Sequence, residues 1–218
     1  MTGQSRDLND WLMEQKCRSL VHALEHRRFT AVYCPTVRDA ADAVIAAAES
    51  AATVGFGGSL SVAELDVQPR LAEMGKELLD HGRPGLTPEE KMTIMRRQLT
   101  CDLFLTGTNA VTQDGCLVNI DGNGNRVASM IFGPKKVVIV VGRNKIVDGD
   151  INDAYLRIKQ KASPPNAKRL NKKTPCAETG FCADCDSPDR ICMVTTLLER
   201  KPRLTDVCVL VVNADLGL

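Results

Sequence analysis

The sequence has little of what several large classes of protein require. Aromatic residues are scarce, with five Phe, two Tyr and one Trp in 218 residues, which is too few for a surface that stacks nucleic-acid bases. Neither sign of charge dominates, because 28 Lys and Arg face 27 Asp and Glu, whereas nucleic-acid-binding proteins usually carry a basic surplus. We therefore expect no nucleic-acid partner and a core built from Val, Leu, Ile, Ala and Met.

Long apolar runs are also missing. Runs such as 207–212 have the length of a strand and fall well short of the roughly 20 residues that span a bilayer. The first residues are polar and acidic, where a signal peptide has a basic stretch followed by an apolar one. These features predict a cytoplasmic protein with no membrane partner. In a reducing compartment the nine cysteines are thiols or metal ligands rather than disulfides.

What is present is an ordinary globular composition arranged as alternating helices and strands. With 44% hydrophobic and 25% charged residues, the chain can bury one core, and we expect a single domain over 1–218. Apolar periodicity predicts helices over 7–28, 37–50, 87–100 and 151–161, and strands over 29–33, 53–56, 102–106, 117–120, 137–141, 195–198 and 207–212. This alternation predicts an α/β fold, a mostly parallel sheet with flanking helices. Residues 71–79 fit either type, and the Pro- and Lys-rich stretch 162–175 is typical of a surface linker.

Two helix starts carry capping signals. Ser61 and Glu64 have the Ser-x-x-Glu spacing of a capping box, so a helix is expected to begin near them. Thr87 is followed by Pro88 and, three residues after the cap, by Glu90, which is a stronger signature of the same kind.

A glycine-rich turn, Gly55-Phe56-Gly57-Gly58-Ser59, joins a predicted strand to a predicted helix. Glycines let the backbone approach a ligand closely, and the start of a helix offers unpaired N–H groups to an anion. Gly57, Gly58 and Ser59 are therefore candidate ligands of a phosphate or carboxylate. The spacing is neither a dinucleotide fingerprint nor a P-loop, so a tight turn without a ligand is an equal alternative.

A second polar stretch covers 106–112 and 119–126. Its side chains follow predicted strands, and in open α/β sheets ligands bind beyond the carboxyl ends of strands. Arg126 has the fork of donors that grips a carboxylate or phosphate. Turn formation alone also explains much of this composition. The candidate ligand-binding side chains are Thr108, Asn109, Asn119, Asp121, Asn123 and Arg126.

Four of the nine cysteines lie within 17 residues, as Cys176-x5-Cys182-x2-Cys185-x6-Cys192. Thiolates bind zinc or an iron–sulfur cluster, and a C-x2-C turn directs two sulfurs to one site. The spacing matches neither the common ferredoxin runs nor a zinc ribbon, so clustered free thiols are the alternative. We expect the other five cysteines to fill the core.

Three stretches carry a family resemblance: GFGGSLSVAEL at 55–65, TGTNAVTQDGCLVNIDGNGNRVASMIFGPKKVVIVVGRNKIV at 106–147, and the cysteine segment 176–192. Together they resemble the lactate-utilisation (LUD) domain family. The resemblance implies a fold similar to the sugar-phosphate isomerase and CoA-transferase group. It also implies a part in oxidising lactate alongside iron–sulfur protein partners. A ferredoxin-type cysteine run, which would let the chain carry electrons as larger members do, is absent.

Three functional hypotheses follow. The first is an accessory or subunit protein of lactate oxidation that binds a small anionic ligand, carboxylate or phosphorylated, between the two polar stretches. The second is a CoA-transferase- or isomerase-like enzyme in which Glu64 is the catalytic residue. The third is a metal-binding regulatory or interaction module built on Cys176, Cys182, Cys185 and Cys192.

Overall fold

Helices and strands alternate along the chain as the periodicity predicts. The computed structural model describes residues 3–218, with side chains from Asp7 onward. The helices are α1 (Gly3–His26), α2 (Val37–Ala47), α3 (Leu60–Ala63), α4 (Gln68–Glu73), α5 (Pro88–Gln98), α6 (Asn125–Ile131), α7 (Ile151–Arg157), α8 (Ser163–Arg169) and α9 (Pro175–Thr179). The strands are β1 (Thr30–Cys34), β2 (Thr53–Phe56), β3 (Glu77–Asp80), β4 (Leu103–Gly107), β5 (Ala110–Thr112), β6 (Leu117–Asp121), β7 (Lys136–Gly142), β8 (Ile146–Val147), β9 (Val194–Leu198) and β10 (Asp206–Val212).

Six strands form a parallel sheet in the order β1-β10-β7-β4-β2-β3. β7 shows why its sequence is a continuous apolar run. Val137, Ile139 and Val141 face one core, while Val138 and Val140 face another, so both faces of the strand are covered. The predicted α/β class, a parallel sheet flanked by helices, is confirmed.

The helices divide between the two faces of this sheet. On one face α1, α5 and α6 contribute Leu20, Leu24, Ile94 and Met130 to the core. On the other face α2, α3 and α4 contribute Ala40, Val44, Val62 and Leu71. Leu20, Leu24 and Leu71 are fully buried, and each such side chain contributes about 1.5–3 kcal/mol to folding.

A second sheet of four strands, in the order β8-β5-β6-β9, was not predicted. Its pairing is mixed, because β5 and β8 are parallel while β5–β6 and β6–β9 are antiparallel. β5 has three residues and β8 has two, and runs this short show no periodicity. The helical stretch from α7 packs on it through Ala154, Ile158 and Ala162.

The predicted surface linker over 162–175 is wrong. A π-helical turn (Ile158–Ala162) leads directly into α8, and α9 begins at Pro175. Pro164 and Pro165 lie in the first turn of α8, directly after the π-helical turn. Ala167 is fully buried, so the segment packs as part of the fold.

One capping prediction is also wrong in its residue. Helix α3 begins at Leu60, and its cap is Ser59, whose hydroxyl accepts from the Val62 N–H at 3.4 Å. Ser61 therefore lies inside the helix and is fully buried, while Glu64 ends it. The Thr87–Glu90 capping box is confirmed. Within residues 3–218 no helix combines the length and the apolar character needed to cross a membrane.

Candidate functional site

A cavity of about 750 Å³ lies where β2, β3, β4 and β7 end. This volume is typical of pockets for small metabolites. One wall comes from the loops after those strands and after β6, in segments 57–61, 81–82, 107–109 and 120–126. The other wall comes from the helical stretch around α8 and from the cysteine segment; its residues are Ile158, Ala162, Ser163, Asn166, Arg169, Leu170, Lys172 and 188–192. We call this cavity the large pocket.

The two polar stretches singled out from the sequence meet in the large pocket. Of the predicted ligand-binding residues, those that line it are Gly57, Gly58, Ser59, Thr108, Asn109, Asp121, Asn123 and Arg126. Asn119 does not line it and is fully buried behind the wall. The structure thus brings the two stretches together, while their contact with a ligand stays a prediction.

Arg126 is held by the protein on every side. It donates from Nη1 to the Gly107 carbonyl at 3.2 Å and to Asn119 Oδ1 at 2.8 Å. It donates from Nη2 to Asn109 Oδ1 at 2.9 Å and to the Ile120 carbonyl at 3.0 Å. Its Nε lies 3.4 Å from an Asp121 carboxylate oxygen. Because the whole fork is engaged, Arg126 ties the ends of β4 and β6 together.

Asp121 organises the loop that enters α6. Its Oδ1 accepts from the N–H groups of Asn123 and Gly124, both at 3.2 Å, and its Oδ2 accepts from Val127 at 3.3 Å. Among residues 7–218, Asp121 is the only buried carboxylate. Its negative charge is therefore already shared between Arg126 and three backbone donors.

Lys145, unlike Arg126, is a buried cation with few hydrogen-bond acceptors around it. It follows β7, lines the large pocket and is only 4% exposed. Its amine donates to Ser61 Oγ at 2.6 Å, and that hydroxyl donates to the Leu216 carbonyl at 3.2 Å. Burial, reinforced by the positive charges of Arg157 and Arg126 and opposed by Glu64, lowers the pKa of Lys145 to about 7. Such an amine can hold an anion when protonated, or accept a proton or attack a carbonyl when neutral.

Arg157 adds a further buried cation beside Lys145. It is 9% exposed and donates to the carbonyls of Asn144 at 2.8 Å and Asn109 at 2.7 Å and, at 3.4 Å, to an oxygen of the terminal residue Leu218. Burial lowers its pKa. Arg126, Lys145 and Arg157 thus place three cations at or beside the pocket. Asp121 is the buried carboxylate among residues 7–218, and Glu64 opposes the cations from outside the lining.

Two glycines let the backbone come close to this amine and turn beside it. At Gly107 a Cβ would lie 2.7 Å from Ser59 Oγ and 3.5 Å from Lys145 Nζ, so a side chain there would push the glycine-rich loop and the amine apart. Gly58 has φ +69°, a conformation that costs other residues free energy. The turn 57–59 therefore needs glycine at position 58. It leads into α3, a helix of four residues.

His81 lies on the wall formed after β3. Gln98, which is fully buried, donates to the carbonyls of Phe56 and Leu79 at 2.9 and 2.8 Å, and its Nε2 lies 3.0 Å from His81 Nδ1. Burial lowers the pKa of His81, which favours the neutral ring near neutral pH. Gln98 thereby links the ends of β2 and β3 and fixes the imidazole at the pocket.

Glu64 lies outside the lining of the large pocket and is exposed. Its Oε2 accepts from the Gly217 N–H at 2.9 Å. The carboxylate thus fastens the C-terminal segment beside Ser61, and its predicted role as a nucleophile or base stays a prediction.

The nine cysteines separate into two groups. Cys17, Cys34, Cys101 and Cys116 are buried, Cys208 is half-buried, and burial raises the pKa of each of their thiols. The four of the cysteine segment are half-exposed and line one small cavity, which we call the cysteine cavity; its other lining residues include Lys159, Ser163, Thr174, Asp184, Arg190 and Ile191. Metal binding there stays a prediction.

The comparisons with known proteins agree with this architecture. The model of the LUD domain matches residues 17–212. The chain belongs to the LUD domain family. The fold of this LUD protein is also similar to the crystal structure of a DUF162 family protein from Deinococcus radiodurans, with 16% identity and a TM-score of 0.50, over 90% of this chain and 98% of that one. Among curated proteins, no relative matches the sequence significantly.

Sequence reasoning missed Lys145, Ser61, His81 and Arg157. Lys145 follows β7, the continuous apolar strand. Its position beyond the carboxyl end of a predicted strand could have marked it as a candidate ligand contact. Ser61 was assigned to a cap, and Arg157 lies on a helix whose packing partner, the second sheet, was not predicted. His81 lies two residues after the stretch 71–79, whose pattern fits a helix and a strand equally.

Proposed function

We propose that this lactate-utilisation-type protein binds a small anionic ligand, a carboxylate or a phosphorylated compound, in the large pocket. The observation that carries the proposal is Lys145, a nearly buried amine on the pocket wall with Ser61 as its hydrogen-bond partner. A buried cation is costly unless something compensates its charge. An anion in the pocket supplies that compensation.

The surrounding contacts support the same assignment. Arg126 and Arg157 add positive charge close to Lys145, and the only buried carboxylate, within residues 7–218, already serves Arg126 and the α6 loop. Gly107 lets the glycine-rich loop approach the amine closely. In this arrangement Lys145 contacts the ligand, while Arg126, Asn109 and Asn119 hold the wall in position.

The family supplies the metabolic setting. The LUD domain family is associated with lactate utilisation, and lactate and pyruvate are both small carboxylates. We therefore propose an accessory or subunit role in lactate oxidation, with iron–sulfur proteins as partners. The CoA-transferase- or isomerase-like alternative through Glu64 has less support, because that carboxylate bonds Gly217 and does not line the pocket.

The test is a binding measurement on Lys145→Met, which keeps the aliphatic stem and removes the charge. Calorimetry with L-lactate, pyruvate and inorganic phosphate should show at least one of them binding the wild type. We expect Lys145→Met to lose about 10- to 100-fold in affinity for that probe, the effect of one charged hydrogen bond. The matched control is Lys168→Met, since Lys168 is exposed and outside the pocket.

Either of two results would overturn the proposal. One is that none of the three anions binds the wild type at millimolar concentration. The other is that Lys145→Met binds its probe as tightly as the wild type and Lys168→Met do.

A further inference from the structure

The four cysteines of 176–192 stand apart from the rest of the chain in how they are held. Cys176 lies in α9, and the other three lie in the irregular segment between α9 and β9. This segment contains Asp184 at φ +45°, a left-handed conformation that Asp tolerates better than most residues. The turn falls inside the Cys182-x2-Cys185 pair. A left-handed turn thus separates the two cysteines of this pair.

All four sulfur-bearing side chains line the cysteine cavity, yet they do not close on one point. Among the side chains of residues 7–218, no three His, Cys, Asp or Glu are placed to hold a metal ion. A tetrahedral zinc site needs sulfurs about 2.3 Å from a shared centre, and hence close to one another. An iron–sulfur cluster instead places one thiolate on each iron, so its ligands surround a wider space. This arrangement fits a cluster better than a single ion.

The charges around the cysteine cavity match such a group. Four thiolates make a cluster site negative, and two cations stand beside it. Lys159, with a side chain 8% exposed, and Arg190 both pair with Asp184, at 2.9 and 2.8 Å. Arg190 also donates to the carbonyl of Cys185 and, at 2.9 Å, to that of Cys192. One guanidinium therefore fixes the backbone of two of the four cysteines.

Hydroxyl groups reach two of the sulfurs. Thr174 Oγ1 lies 3.4 Å from Cys176 Sγ, and Ser163 Oγ lies 3.5 Å from Cys192 Sγ. Hydrogen bonds to cluster sulfurs are among the main means by which proteins tune iron–sulfur centres. Thr174 is 2% exposed and Ser163 is 6% exposed, so both hydroxyls are held in place by packing.

We propose that Cys176, Cys182, Cys185 and Cys192 hold an iron–sulfur cluster of the four-iron type in the cysteine cavity. The site also adjoins the large pocket, because Ser163, Arg190, Ile191 and Cys192 line both cavities. The two cavities therefore share part of a wall. The inference does not depend on the identity of any ligand in the large pocket.

The test uses full-length protein purified without oxygen and reconstituted with ferrous iron and sulfide. We expect about four iron and four acid-labile sulfide per chain, visible absorption that bleaches on adding dithionite, and a paramagnetic signal from the reduced protein. Cys185→Ser and Cys192→Ser should each lower the iron content at least several-fold. The matched control is Cys208→Ala, which removes a half-buried thiol outside the segment and should keep the full content.

Circular dichroism separates loss of the cluster from loss of the fold, and Cys182→Ser offers a third ligand variant should one of the others fail to fold. Three results would overturn the proposal: a reconstituted wild type without iron, one equivalent of zinc that excludes iron, or folded cysteine variants with wild-type iron content. A failure here leaves the anion-binding result at Lys145 untouched, since that test is made with added anions and read by calorimetry.

Discussion

The surroundings of Arg126 and of Lys145 differ although both are cations on the wall of the large pocket. Arg126 has a protein acceptor for each part of its fork, and Asp121 balances its charge. Lys145 has one hydroxyl partner and two positive neighbours, and Glu64, an exposed carboxylate, is the negative group that acts on it. Arg126 therefore connects parts of the protein, whereas the amine of Lys145 has charge and N–H donors available for a ligand. The comparison shows that proximity to a pocket does not by itself make a residue a ligand contact.

The largest effect expected from this comparison is on stability at Arg126. Arg126→Met should lower the free energy of unfolding by about 3–5 kcal/mol, because it leaves a buried carboxylate and several acceptors without their donor. Denaturant unfolding measures the change. Arg169→Met is the control, since Arg169 also lines the pocket but is exposed and bonds only Asn166; it should cost less than about 1 kcal/mol. Unchanged stability together with lost anion binding would make Arg126 the ligand clamp predicted from its sequence position.

The second prediction concerns the pH dependence of stability. In the unfolded chain Lys145 has a pKa near 10.4, while in the fold it is lowered to about 7. Between these values the unfolded state binds more protons, so the contribution of Lys145 to stability rises with pH, by at most about 1.4 kcal/mol per pH unit. The five thiols outside the cysteine segment, whose pKa values are raised in the fold, oppose this above about pH 8, where they begin to ionise in the unfolded chain.

Denaturant unfolding at pH values between about 7 and 8, below the range in which the thiols ionise, measures this slope. Lys145→Met should flatten it, while Lys168→Met should retain it. Equal slopes in all three proteins would show that the amine is not desolvated as the structure indicates.

The smallest effect is expected at Glu64. Glu64→Gln keeps an acceptor for the Gly217 N–H, so it should change the free energy of unfolding by less than about 1 kcal/mol. It should also leave anion binding in the large pocket unchanged by calorimetry. A loss of binding or of a discovered catalytic activity in this variant would favour the enzyme alternative instead.

Much of the fold was predictable because its signals are local. The continuous apolar run from Val137 to Val141 predicts a strand buried on both faces, and the spacing of Thr87 and Glu90 predicts the start of a helix. The second sheet escaped prediction because β5 and β8 are too short for any pattern and exist only through their partners. The composition around Pro164 and Pro165 is typical of a linker. The burial of Ala167, which shows that the segment is part of the fold, depends on tertiary packing that the local sequence does not reveal.

The candidate site was predictable in place but not in its roles. Asn109, Asp121 and Arg126 are polar residues beyond strand ends, so their convergence followed from the parallel sheet. Which of them faces a ligand depends on long-range hydrogen bonds, such as that from Arg126 to Asn119, which no spacing rule encodes. Lys145 is separated from Ser61 by 84 residues, and only the three-dimensional arrangement reveals the pair.

The order of strands has a consequence for how the chain is made. β10 lies between β1 and β7, so β1 pairs only with a strand that begins at residue 206. During synthesis β1 therefore waits with an apolar surface and unpaired backbone groups until almost the whole described chain has left the ribosome. Pairing over such a distance is slow, and nascent chains with open sheet edges aggregate readily. We infer that the sheet is completed only once β10 has been made, with α1 and α2, which pack on β1, as the elements that shield it in the meantime.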